Sequence, residues 1–188
     1  MPELPVPLLS EEQAARRAEA LGLNARYAGL SVFRILLQNE PVARELASTV
    51  TTLLFTGNSL DGRLRELLIM RIAWQTGSVY EWTQHWRIAR GMDIPVQDLL
   101  AVRDWQASQI LSGADRAVLQ ATDDTLEHGF IQPEAWAACG EHLETEAERV
   151  ELVIAIGNWI MFSQLLRSLA VPLEEGVDAW PPDGKAPR

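Results

Sequence analysis

Apolar residues recur at three- and four-residue intervals along most of this chain, the spacing of amphipathic helices, and no segment alternates convincingly with the period of two that marks a strand. Ser10 followed by Gln13 is a capping-box pattern that opens a first helix running to about Leu21. Further helices are predicted over Val32–Gln38, Val42–Phe55, Leu60–Gln75, Ser78–Arg90, Val96–Trp105, Ala114–His128, Glu134–Glu141 and Glu146–Leu169. Gly57, Gly62, Gly91 with Pro95, Gly113, and Gly129 with Pro133 supply the breaks. An extended lead covers residues 1–9, with Pro2, Pro5 and Pro7. The tail, residues 172–188, carries Pro172, Pro181, Pro182 and Pro187 and cannot pack as a helix. It is expected to be loose or to lie as an arm across a neighbouring subunit. The whole, residues 1–188, reads as one all-α domain.

One stretch departs from a plain core pattern. From Leu67 to Trp74 the only charge is Arg71, so this segment is interior, yet Glu66, Ser78, Glu81 and His85 lie in and around it. An interior carboxylate must be paired, hydrogen-bonded or held neutral, because removing water from an isolated charge is costly. Successive helical residues are about 100° apart, which brings His85 within about 20° of Ser78 and puts Glu81 about 40° from His85. Glu81 and His85 also stand in the i,i+4 relation that lets side chains touch. Gly77 separates two helices and supplies a turn. If that hairpin folds back, Glu66 faces the Ser78–Glu81–His85 stripe.

At these residues the sequence resembles the carboxymuconolactone decarboxylase family, which includes the alkylhydroperoxidase D-like proteins. The redox branch has a Glu, a Cys-x-x-Cys pair and a His four positions after the second Cys. Glu66 and His85 fall on that Glu and His, while Ser78 and Glu81 occupy the cysteine positions. Gly77, Glu81 and His85 look like the cysteine-free decarboxylase branch. The flanking LDGRLRELLIMRIAW segment, and the stretches from LSGADRAVL to LLRSLAVPLEE, carry the resemblance over roughly Ser31 to Glu175. It implies an all-α bundle of the alkylhydroperoxidase D-like type, assembled as a trimer or hexamer.

The missing cysteines change the chemistry. Reducing a peroxide through this motif needs one thiolate to attack and a second thiol to resolve the sulfenic acid. Ser78 and Glu81 can do neither, and the single cysteine, Cys139, lies in another segment. What remains is a carboxylate–imidazole set. His85 is read as the proton donor or acceptor, Glu81 as the group that orients it, and Glu66 as a second acid or a positioning group. Arg63 or Arg71 would hold a substrate carboxylate. Ser78 is read as a helix N-cap, and Tyr80 and Trp82 as core or pocket wall. The expected reaction is a decarboxylation or related proton transfer, by a cofactor-independent enzyme, on a small carboxylated or lactone substrate.

Each feature also has a plainer interpretation. Glu81 and His85 can form a solvated pair on a helix surface, and Glu66 can pair with Arg63 or Arg71. The competing functions are a non-catalytic oligomeric scaffold or ligand-binding protein and, less favoured, an antioxidant using Cys139. Two residues at ligand spacing do not make a metal site, and no metal is expected. No phosphate-binding glycine loop or Gly-x-Ser-x-Gly elbow is present.

Charge and composition narrow the partners. Sixteen basic residues against 26 acidic ones give a net charge of −10, which opposes binding to nucleic acid and to anionic membranes. One cysteine rules out an intramolecular disulfide framework and suits a reducing cytoplasm. The start of the chain lacks the pattern of a signal peptide. The most apolar run, Leu152 to Leu166, is interrupted by Gly157, Asn158, Ser163 and Gln164 and is short of a bilayer span of about 20 residues. The expected partners are a small-molecule substrate and further copies of the chain.

Overall fold

The computed structural model describes residues 4–187, so Pro2 of the predicted lead lies outside the described residues. Among these residues all regular structure is helical. The helices are α1 (Glu11–Ala20), α2 (Ser31–Leu36), α3 (Glu40–Thr51), α4 (Gly62–Thr76), α5 (Val79–Gly91), α6 (Val96–Ala101), α7 (Gly113–His128), α8 (Pro133–Gly140) and α9 (Glu146–Ser168). Each corresponds to a helix legible in the sequence. The structure adds a short 3₁₀ turn over Ala25–Gly29, and α3 runs on into a π-helical turn over Thr52–Thr56.

The boundaries are set by local chemistry. Ser10 and Gln13 form the reciprocal capping box at the start of α1, and Ser112 with Asp115 does the same for α7. The Asp61 side chain accepts from the Arg63 and Leu64 amides and opens α4. Gly77 closes α4 at φ +71°, a left-handed conformation that costs a side-chain-free residue nothing.

The chain forms two compact units. The first comprises residues up to 57 together with 165–177. Its core gathers Ala14, Ala18, Tyr27, Phe33, Ile35, Leu36, Leu37, Ala43 and Ala47. Tyr27 packs on Phe33 with ring centroids 4.2 Å apart and shares a 2.7 Å hydrogen bond with Thr51. The lead is tied along α2: Leu9 and Arg34 exchange hydrogen bonds, and Gln38 donates to the Pro7 carbonyl.

The second unit, residues 58–164 with 178–188, holds α4 to α8 and α9 as far as Gln164. Helix α4 is buried on every face from Leu64 to Ala73, as befits a central helix, and packs against α5 and α7. Leu67, Met70, Trp82, Trp86, Leu99, Val102, Trp105 and Leu119 fill the core around it. Arg71, the one charge of the apolar run, is neutralised inside this unit. Its guanidinium meets Asp123 in two parallel bonds of 2.7 and 2.8 Å and donates to the carbonyls of Val102 and Arg103. Helix α9 is the one described helix long and apolar enough to cross a membrane. Leu152, Ala155, Ile156, Trp159 and Phe162 are nevertheless buried along it, the stripe of a core helix.

The tail departs from expectation. Within the second unit the Trp82 indole N–H donates to the Pro181 carbonyl at 2.8 Å, and Arg103 grips Asp183 through two hydrogen bonds. Trp180 enters the aromatic cluster of Trp74 and Trp82. Residues 180–183 are therefore a strap held by their own chain. The aromatic surface on α4 and α5 supplies the apolar contact that a proline-rich segment cannot generate by helix formation.

Candidate functional site

Helices α4 and α5 are joined through Gly77 and Ser78 and lie side by side, so Glu66 on the first meets His85 on the second. Glu66 Oε2 lies 2.8 Å from His85 Nδ1, and both residues are buried. The other imidazole nitrogen is also engaged: the Trp159 indole N–H on α9 donates to His85 Nε2 at 2.9 Å. An indole nitrogen can only donate. Nε2 must therefore be the unprotonated nitrogen, and the imidazole proton sits on Nδ1, where it is donated to Glu66. The tautomer follows from geometry alone. Taking a second proton at Nε2 requires the Trp159 N–H to leave.

Arg65 stands behind this pair. Its side chain is buried, and its Nε lies 3.5 Å from Glu66 Oε1, an ion-pair distance without full hydrogen-bond geometry. Arg65, Glu66, His85 and Trp159 thus form a buried row, cation to carboxylate to imidazole to indole. Replacing Trp159 by Phe keeps the ring and removes the donor. The expected result is a His85 free to exchange its proton between Nδ1 and Nε2, seen as converging ¹⁵N shifts of the ring. A wild-type-like tautomer signature in Trp159→Phe would show that Glu66 alone fixes the ring.

Glu81 sits one helical turn before His85 and is buried, yet neither carboxyl oxygen makes a hydrogen bond of ordinary geometry. The hydroxyls of Ser163 and Ser78 face it. Burial therefore pushes its pKa well above the usual carboxylate range, and the two hydroxyls offset only part of that rise. Burial thus favours the protonated form of this side chain. Ser163 in turn bonds Thr76 at 2.5 Å, and the Thr76 hydroxyl lies 2.7 Å from the Ile72 carbonyl one turn back.

Several roles differ from the sequence reading. The group that orients His85 is Glu66 and not Glu81, because side chains lean toward the helix N-terminus and carry Glu81 toward Ser78 and Ser163. Ser78 occupies the N-cap position of α5, but its hydroxyl makes no capping bond. Arg71 is committed to Asp123, and Arg63 Nη2 lies 3.0 Å from Asp98 and 2.9 Å from Asp115. Arg71 is thereby fully committed, whereas Arg63 keeps a buried Nη1 without a hydrogen-bond partner among the described residues. Trp82 is fully buried among other indoles, and Tyr80 is buried on the same helix. Trp159, Ser163, Thr76 and Arg65 were not foreseen. The one signal for Ser163 was its place as a polar break in the apolar run of α9.

Cys139 lies on α8, buried, with its thiol against the Ala117 carbonyl. Burial, reinforced by the Asp124 charge, pushes its pKa up to about 11, so the reactive thiolate is scarce near neutral pH.

Residues 41–124 match the model of the carboxymuconolactone decarboxylase family. No match was found among curated proteins. Among solved structures, an uncharacterised peroxidase-related protein with an alkylhydroperoxidase AhpD core from Ralstonia eutropha JMP134 superposes with a TM-score of 0.74. The two are 14% identical over 93% of this chain and 94% of that one. A cysteine-to-alanine variant of the debrominase Bmp8, in complex with 2,3,4-tribromopyrrole, gives a TM-score of 0.70 at 15% identity, over 93% and 94% of the two chains. A putative antioxidant defence protein AhpD from Agrobacterium tumefaciens gives 0.63 at 18% identity, covering 69% of this chain and 88% of its own. At these identities the likeness is one of fold.

Proposed function

We propose, from the match of residues 41–124 to the carboxymuconolactone decarboxylase family model, that the chain is an acid–base enzyme acting on a small carboxylated or lactone substrate. The observation that carries this reading is Glu81, a buried carboxyl without a cationic partner, one turn from the buried Glu66–His85 pair. A carboxylic acid kept neutral at ordinary pH is a proton donor, and burial is a common way to make one.

The chemistry follows from the positions of the protons. When a β-keto acid loses carbon dioxide, the breaking carbon–carbon bond leaves its electron pair on the carbonyl fragment as an enolate. Glu81 gives that enolate its proton and becomes a carboxylate, which solvent must recharge. In a lactone isomerisation a base must first remove a proton from carbon. His85 Nε2 does so once the substrate displaces the Trp159 N–H, and the imidazolium formed is stabilised by Glu66.

A second reading, a non-catalytic scaffold or ligand-binding protein, has one observation in its favour: Trp159 already occupies the lone pair that His85 would use as a base. The two readings part in a turnover assay with a panel of γ-lactones and β-keto acids, followed by lactone absorbance and carbon dioxide release. The enzyme reading expects turnover without added thiol, unchanged in Cys139→Ser. Peroxide turnover that disappears in Cys139→Ser would replace it with an antioxidant function, and inactivity on the whole panel would favour the scaffold.

A further inference from the structure

We propose that residues 180–187 are a movable cover over the first turn of α5, and that a substrate reaches Ser78 and Glu81 when this cover lifts as one body. This deepens the acid–base reading and rests on it, since it names the way into the site assigned there.

The argument begins with what is shut in. Ser78 and Glu81 are 1% and 2% exposed, so a substrate cannot meet them unless some covering element moves. Their unpartnered atoms, Ser78 Oγ and both Glu81 carboxyl oxygens, gather at the start of α5, because a helical side chain leans toward the N-terminus of its helix. The helices around them are costly to move. Helix α4 is buried on every face from Leu64 to Ala73, and α9 is tied to α5 by the hydrogen bond from Trp159 to His85. The strap is different. Its Trp180 amide donates to Thr83 Oγ1 at 3.4 Å, and its Pro181 carbonyl takes the Trp82 indole proton. Its Pro187 ring lies against Gly77, with Cγ 3.9 Å from where a Cβ would stand on that glycine. The strap thus runs along α5 from the second turn back to the α4–α5 connection, past Ser78 and Glu81.

Two hydrogen bonds fold the strap on itself: the Gly184 amide donates to the Trp180 carbonyl at 2.8 Å, and the Lys185 amide to Asp183 Oδ1 at 3.2 Å. It can therefore move as a unit. Its main latch is Asp183, which accepts two hydrogen bonds from Arg103 at 2.9 and 3.0 Å. Its main plug is the Trp180 ring, with centroids 6.0 Å from those of both Trp74 and Trp82. Two features lower the cost of lifting it. The Arg103 guanidinium already lies 4.6 and 4.9 Å from the Trp74 and Trp82 ring centres, so those indoles keep a partner when Trp180 leaves. Trp180 itself sits at φ +55°, a left-handed conformation that a bulky side chain disfavours and that undocking relieves. Lids that admit substrates are drawn from such weakly held segments.

The test needs no substrate and uses the whole chain. In a Cys139→Ser background, Ser78→Cys places one thiol at the covered position in a side chain of nearly the same size. Its alkylation by iodoacetamide reports access to the site. Exchange of the Trp82 indole proton with heavy water reports lifting of the strap, and amide exchange along α4 reports wider unfolding. Asp183→Ala and Trp180→Ala should each speed both alkylation and indole exchange by about ten-fold or more, while the α4 amides keep their wild-type protection. If Ser78→Cys does not fold, exchange of the Val79 and Glu81 amides gives the same comparison, since the first N–H groups of a helix lie outside its hydrogen-bond ladder. Access unchanged in both variants would overturn the cover even with faster indole exchange, because the site would then be reached another way. Loss of α4 protection in step with alkylation would overturn it too, since the whole unit would be opening. A cover that lifts as described, over a protein inactive on every lactone and keto acid, would leave this inference standing and the enzyme reading fallen.

Discussion

Glu66→Ala should unfold far more easily than the wild type, by about 3–5 kcal/mol, the usual cost of removing one partner from a buried ion pair. The substitution leaves the Arg65 guanidinium, whose side chain is 3% exposed, without the one carboxylate it pairs with among the described residues. It also strips the acceptor from His85 Nδ1, whose proton cannot move to Nε2 while Trp159 donates there. For a chain of this length each kcal/mol lowers the melting temperature by about 2–4 °C, so the loss is easily read by circular dichroism. Glu66→Gln, which keeps an acceptor for Nδ1, should lose less. Pairing Glu66→Leu with Arg65→Met removes both charges and should recover part of the loss, giving a clear non-additivity. A Glu66→Ala protein as stable as the wild type would mean that the buried row is not held as described.

Glu81→Gln should have opposite effects on activity and stability. Activity should fall about 10²–10⁴-fold, the usual contribution of a general acid. Stability should rise, and the rise should depend on pH. Burial raises the folded-state pKa of Glu81 above its ordinary value of 4.5. Below that value both folded and unfolded chains carry the proton, and the group contributes no difference. Above it the unfolded chain ionises while the folded one stays neutral, so the wild type loses about 1.4 kcal/mol per pH unit until the raised pKa is reached. Glutamine does not titrate, so the gap in melting temperature should widen from about pH 4.5 upward. A gap constant with pH would show Glu81 to be ionised in the folded protein. A stable variant that kept full activity would remove Glu81 from the chemistry. Gaining stability by losing a buried functional group is a familiar mark of an active site.

What was legible in the sequence was local. Ser10 with Gln13, Gly77 and Gly129 mark helix ends by hydrogen bonds and backbone angles formed within a few residues, and the apolar periodicity between such breaks locates the nine α-helices of the described residues. The approach of Glu66 to His85 was legible too, because a short turn between two helices fixes which faces meet. The partners of these groups were not. Trp159 lies 74 residues from His85, and Arg71 lies 52 from Asp123. Helical periodicity shows which face of a helix is apolar, but not which residue of a distant helix will lie against it. The Glu81–His85 assignment failed for a related reason. Spacing brought them within reach, and the competition for each His85 nitrogen was decided by Glu66 and Trp159 instead.

The strap over the aromatic cluster bears on how the protein is made. Trp82 leaves the ribosome 99 residues ahead of the Pro181 carbonyl that accepts its indole proton. At about 5–20 residues per second, this is a delay of roughly 5–20 seconds. Throughout that interval the α4–α5 hairpin can form, since its own contacts are local, but Trp74 and Trp82 lack the Trp180 ring that later packs on them. A nascent chain of this protein therefore passes through a stage with the indole surface of that hairpin uncovered. Chaperone occupancy on translating ribosomes should peak after α5 emerges and fall once Asp183 has reached Arg103.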